Sequence, residues 1–303
     1  MTAKAVVKRE NRVYEGRAEW LFQTILYIII ILLSITFIYP YWHIIVTSFS
    51  APEFADAGGL KLLPRGFSLD AYKQMFQTKN LWMGYKNTLI VVAMGWATSI
   101  TLNVLGAYPL SRKTLPFRNA FTTIIILTMF ISGGTIPTYL LVRKTLGMMN
   151  TFWAVILPQC VSVSHLVIMR NYFMNLPDEL EEAVTIDGAN SLTILVKVIL
   201  PLSLPMIATI SLWVIVSNWN AYFNCLLYIT DSSKYVLQII MRRIIQTGSK
   251  EMTYSSDVAE DLVTDTSTLK ASSIILATLP IIMVYPFLQK YFVKGVLIGS
   301  LKG

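Results

Sequence analysis

Long uninterrupted apolar runs organise this chain, in place of the scattered core positions of a soluble domain. Six stand out, at about 21–41, 87–110, 120–136, 152–169, 199–229 and 272–289. Each is near or above the roughly 20 residues that carry a helix across a hydrocarbon core. The pattern predicts an all-α polytopic membrane protein: six transmembrane helices over 20–293, a polar segment 1–19 before them and a tail 294–303 after them. Two outer connections are long, 44–86 and 230–271, and loops of that length generally carry function. Six crossings place both termini on one side. The basic first segment, the Arg112, Lys113 and Arg118 loop, and Lys290 with Lys294 make that side the cytoplasm. This reading rests on density in short loops, because inner segments hold 13 basic residues and outer ones 12.

Within the runs, several features refine the elements. The first is followed by Tyr39-Pro40-Tyr41-Trp42-His43, an interfacial aromatic belt where a signal peptide would have a small-residue cleavage site, so it is read as a retained anchor. The third is interrupted by Ser132-Gly133-Gly134 and Pro137, which predicts a bend and a re-entrant or interfacial stretch through Asn150.

Composition agrees with a bilayer protein: 54% of the 303 residues are hydrophobic and 14% charged, with a mean hydropathy of +0.58. A net charge of +8 lies beside apolar segments, where an anionic leaflet explains it better than nucleic acid does. None of the 25 Lys and Arg or 17 Asp and Glu falls inside a span, so the chain lacks the intramembrane relay of proton-coupled carriers and the paired acids of an intramembrane protease. Cys160 and Cys225 lie in apolar runs and read as small core residues. His43 and His165 read as interface or core histidines, and no spacing supports a metal site or a catalytic residue. With no phosphate-cradling loop, no cofactor is expected in this chain.

Chemistry concentrates in the connection 176–201 between the fourth and fifth spans. Asp178 and Glu181 form a capping box that starts a helix, Gly188 supplies positive φ to end it, and Asn190 or Ser191 caps a second helix running to Leu200 before Pro201. The first helix offers Leu180, Ala183, Val184 and Ile186 among acids, a face suited to a groove on another protein.

These residues resemble a known family. Glu182-Ala183-Val184-Thr-Ile-Asp187-Gly188, followed by Val198-Ile-Leu200-Pro201, is similar to the EAA loop of permease subunits of bacterial ABC importers, with Val184 and Val198 as conservative departures. Leu105-Gly-Ala-Tyr-Pro-Leu-Ser-Arg112, Phe130 to Leu141 and the ending Tyr285 to Gly303 resemble the carbohydrate-uptake, maltose-type branch that imports oligosaccharides and polysaccharide fragments in Gram-positive bacteria. The resemblance implies a type I importer permease fold in the bacterial cell membrane. It further implies a homologous second permease, two ATP-binding subunits that bind ATP and Mg, and an extracellular solute-binding lipoprotein docking on 230–271. By the same resemblance Glu182 and Asp187 contact the ATPase groove ionically, Ala183 and Val184 form its apolar floor, Gly188 makes the turn with Leu200 and Pro201 beyond it, and the tail 294–303 reaches the ATPase interface. For the sugar path the fifth span offers Asn218, Trp219, Asn220, Tyr222 and Asn224, aromatic faces for stacking beside amides for hydrogen bonds, and Asn103 is a further candidate in the second span. A permease for another solute, or an ion-coupled carrier, is the alternative.

Overall fold

The computed structural model describes residues 17–55, 58–131, 133–186, 188–247 and 267–300. Among them the structure is helical with no strand. Helix α1 spans Arg17–Ser48, and its most apolar stretch is wholly unburied by the rest of the chain. It passes through the aromatic belt without a break, since Pro40 removes one hydrogen bond in a helix held by 32 residues. Helix α2, Lys79–Ser111, is the central pillar. Asn87, Val91, Gly95, Ser99, Asn103, Ala107 and Ser111 recur every fourth residue along its buried face, a stripe of mostly small side chains that lets other helices approach closely.

The remaining runs depart from six simple rods. Three helices are long and apolar enough to cross a membrane, and up to five crossings result if each bent pair is one span. In the third run, helix α3 covers only Arg118–Leu127, then the chain turns and resumes as Thr135–Leu140. Gly134, at φ +80°, caps the start of the resumed helix, within the interruption that the glycines predicted. The fourth run is broken at 160–162: Phe152–Ile156 continues as a tight turn to Gln159, then α4, Val163–Met174, leaves at 55°. The fifth is broken at Ser203, where α6, Ser191–Leu202, meets α7, Leu204–Trp219, at 83°. The second helix of the connection thus runs past its expected end at Leu200. A wide turn at Leu195–Ile199, closed by Leu200 N–H donating to Leu195 O, makes room for the ring of Pro201. Beyond α7 come α8, Tyr222–Tyr228, and α9, Leu237–Thr247. The last helix, α10, spans Ser267–Ser300 and packs along α1 and α7.

Two large buried clusters hold this arrangement, beside a small third one of Val142, Ala154 and Tyr228. The outer one joins Leu237, Ile240, Met241 and Ile244 of α9 to Leu81 and Val91 of α2, Trp219 and Cys225, and Leu269 and Leu276 of α10. Part of the expected outer loop, Leu237–Thr247, is therefore a packed helix, while residues 248–266 lie outside the described residues. The inner cluster joins Val104, Ala107 and Leu110 of α2 to Met169 and Phe173 of α4, Ile194 and Ile199 of α6, and Met206, Ile210 and Val214 of α7. The connection that carries the motif rests on this inner cluster.

Candidate coupling surface and translocation face

Helix α5, Glu179–Ile186, projects from the inner cluster on two ion pairs. Glu181 Oε1 lies 2.5 Å from Arg112 Nη1, with both side chains only 17% exposed, and the guanidinium sits 4.8 Å over the ring of Tyr108. The expected capping box is therefore not the arrangement found: Glu181 turns to Arg112, and Asp178 accepts from Lys113 Nζ at 3.0 Å. A cation 69 residues upstream, fixed at the end of α2, outcompetes a first-turn amide for the carboxylate. Burial pushes the Glu181 carboxyl up from its ordinary range, and Arg112 opposes that shift. Arg112 Nε and Nη2 are buried without a protein acceptor, so the pair is incompletely satisfied.

The turn after α5 follows the sequence closely. Gly188 adopts φ +83°, and Asn190 Oδ1 accepts from Thr193 N–H at 2.8 Å to cap α6. Val184, expected on the ATPase-facing floor, is half-buried and packs with Ala189 against the chain's own inner cluster, as does Leu200. The outward apolar flank is Leu180, Ala183 and Ile186, the last 87% exposed, with Glu182 exposed beside them. Pro201 is exposed, and Asp187 lies outside the described residues. A cleft of about 520 Å³ between this helix and the end of α2 is lined by Arg112, Lys113, Asp178, Glu181, Glu182 and Ile186.

The residues expected on the sugar path divide into two groups. Trp219 is buried in the outer cluster and donates from Nε1 to Ala277 O at 3.1 Å, bolting α7 to α10. Asn103 is fully buried too, and its Nδ2 donates to Ser99 O at 2.7 Å and Cys160 O at 3.1 Å, pinning the break before α4. Tyr222 carries the Arg242 guanidinium 4.4 Å above its ring. Asn220 is exposed, and Asn224 Nδ2 donates to Gln159 Oε1 at 3.2 Å. Asn218 is buried, with Nδ2 donating to Val214 O at 2.9 Å.

Behind these side chains lies a polar recess of about 150 Å³ bounded by α2, the broken fourth run and α7. His165, read from sequence as an ordinary core histidine, lines it together with Gln159, Ser162 and Ser217. The signal available in the sequence was the Pro158-Gln159 pair followed by Ser162, a turn and cap inside an apolar run. Between the third and sixth runs, Asn150 at φ +58° is a hub: its Oδ1 accepts from Thr230 N–H at 2.7 Å and Asp231 N–H at 3.0 Å, and its carbonyl accepts from Lys234 Nζ at 2.8 Å. Among the described residues no group of acids, cysteines and histidines is arranged to hold a metal ion.

A helical membrane chain with two packed clusters, a capped helical projection on one and a polar recess between broken helices is the architecture of a transport permease. The family described as "Binding-protein-dependent transport system inner membrane component" matches residues 16–298, and the chain belongs to it. It is similar to the polygalacturonan/rhamnogalacturonan transport system permease protein YtcP of Bacillus subtilis, at 40% identity over 93% of this chain and 99% of that one. Protein LplC of the same organism is 40% identical over 88% of this chain and 90% of its own length. Among solved structures, a chain of a bacterial ABC transporter involved in importing the acidic polysaccharide alginate superposes with a TM-score of 0.83 at 31% identity, covering 91% of this chain and 98% of that one. The protein is thus a permease subunit of an ABC importer and resides in the membrane.

Proposed function

We propose that the chain forms, with a homologous second permease, the translocation path for an oligosaccharide derived from an acidic polysaccharide and delivered by an external binding protein. The observation that carries this reading is the outward flank of α5: apolar and acidic, standing on the mostly buried Arg112–Glu181 ion pair and the exposed Lys113–Asp178 pair, and ended by a glycine turn. Its chemistry suits a groove on an ATPase subunit, with Leu180, Ala183 and Ile186 on the floor and Glu182 and Asp187 as the ionic contacts. Closure of two ATPase subunits around ATP would drive α5 as a unit with the end of α2, and the bend at Ser203 would turn that push into reorientation of α7. The substrate class is supported by the polygalacturonan/rhamnogalacturonan permease and the alginate importer among its relatives. Six crossings with both termini cytoplasmic, and ATP hydrolysis confined to the partner subunits, complete the proposal.

Purification of the tagged chain from its host in mild detergent tests it. One second permease and two ATP-binding subunits per chain are expected, and proteoliposomes of that complex should take up trigalacturonate only with ATP and the binding protein. Recovery of the chain alone, or uptake driven by an ion gradient without ATP, would overturn it.

A further inference from the structure

The recess beside α7 has a lining that selects a chemistry. Asn218 is 7% exposed and its Oδ1, an acceptor, has no protein partner; Gln159 Nε2, a donor, and His165 Nδ1 are likewise buried and unpartnered. These three groups come from different elements and converge on one space with Ser99, Ser162 and Ser217. Gly95 permits this, because a Cβ there would collide with Asn218 Oδ1. Unpaired polar groups of this kind are costly against hydrocarbon, so the face they share with exposed Ser217 and Asn220 belongs to a hydrated path.

No charged side chain lines the recess, so a carboxylate would enter without a counter-ion. A hydroxyl both donates and accepts, which matches an acceptor and a donor placed together. At about 150 Å³ the space is well below the several hundred that hold a whole ligand, and it suits one edge of a ring. Next to it His165 stacks on Trp213 at 5.7 Å, and Trp213 is 40% exposed, an aromatic neighbour for the apolar face of a sugar. We propose that this recess is a subsite in which Asn218 Oδ1 accepts from, and Gln159 Nε2 donates to, the uncharged hydroxyl edge of one pyranose unit in transit. The inference rests on the oligosaccharide reading above. It adds that this subunit itself grips the sugar, and that it reads hydroxyls and leaves the carboxylate to other surfaces.

The test uses the full complex in proteoliposomes with its binding protein, and trigalacturonate and its methyl ester as probes. Gln159→Leu and His165→Leu should each raise the KM for uptake at least fivefold, by the same factor for both probes, with ATP hydrolysis stimulated by the unliganded binding protein retained. In a Ser217→Cys complex, saturating trimer should slow modification by a small methanethiosulfonate. A wild-type complex that moves the trimers, with variants within twofold of it and no protection of the cysteine, would overturn the subsite alone. A wild type that moves neither trimer would remove the sugar reading and the subsite with it.

Discussion

Replacing Arg112 by Met leaves the Glu181 carboxylate in its mostly buried position with no cation beside it. Breaking a buried ion pair by removing one partner generally costs about 3–5 kcal/mol. The lower end applies because each side chain keeps 17% exposure and two of the three guanidinium nitrogens already lack a protein acceptor. A loss of about 3 kcal/mol in the docking of α5 on α2 corresponds to roughly a hundredfold shift toward the undocked helix. The readout is the number of sugar molecules imported per ATP hydrolysed in proteoliposomes, which should fall at least tenfold while the ATPase subunits remain bound. Arg112→Lys keeps the charge and loses the fork and the stack on Tyr108, so its defect should be smaller. Glu181→Gln should also be milder than Arg112→Met, since burial already favours the neutral carboxyl. The pH dependence has a definite sign. A carboxyl whose pKa is raised in the folded protein weakens the fold as pH rises through that value, and without Arg112 it rises further. Coupling in Arg112→Met should therefore recover as pH falls. Unchanged stoichiometry in that variant, or a defect that deepens on acidification, would refute the reasoning.

Substitutions at three other positions probe features of the same frame. Gly188→Val should leave the chain in the membrane and sharply reduce uptake; nothing lies within 4 Å of a Cβ there, so the loss, on the order of 1–2 kcal/mol, reports the positive φ alone. Asn190→Ala removes the cap of α6 and should lower the melting temperature of the purified complex through a loss of about 1 kcal/mol, whereas Asn190→Ser should restore most of it. Asn150→Ala strips two amides and one hydroxyl of their acceptor, and should weaken binding-protein-stimulated ATP hydrolysis while leaving assembly intact, as measured by copurification.

What the sequence made legible was local. The turn at Gly188 and the cap at Asn190 each follow from a residue acting on its own neighbours, and both stand where the residue types place them. The partner of Glu181 was not legible, because a capping box and a long-range ion pair use the same carboxylate, and only the position of α2 decides between them. Apolar runs reported membrane depth but not continuity. The break at 160–162 and the bend at Ser203 are held by tertiary contacts such as Asn103 to Cys160, although Pro158, Pro201 and Pro205 mark both places. Trp219 and Asn218 are adjacent in sequence and share the composition expected of a sugar path. Rotation about the helix puts one against α10 and the other at the recess, and the phase of that rotation is set by packing.

The pairing of α1 with α10 has a consequence for how the molecule is made. Tyr41 and Thr278 share a hydrogen bond at 3.0 Å across 237 residues of chain. Helix α1 emerges from the ribosome early, and its last turns, from Tyr41 on, meet α10 only when that helix has been inserted, whereas its most apolar stretch stays uncovered even in the finished chain and lies in lipid throughout. Lipid solvates that surface at no cost, which makes the delay harmless in a bilayer and hazardous outside one. Chains released before residue 278 would carry an anchor whose last turns have nothing to clasp.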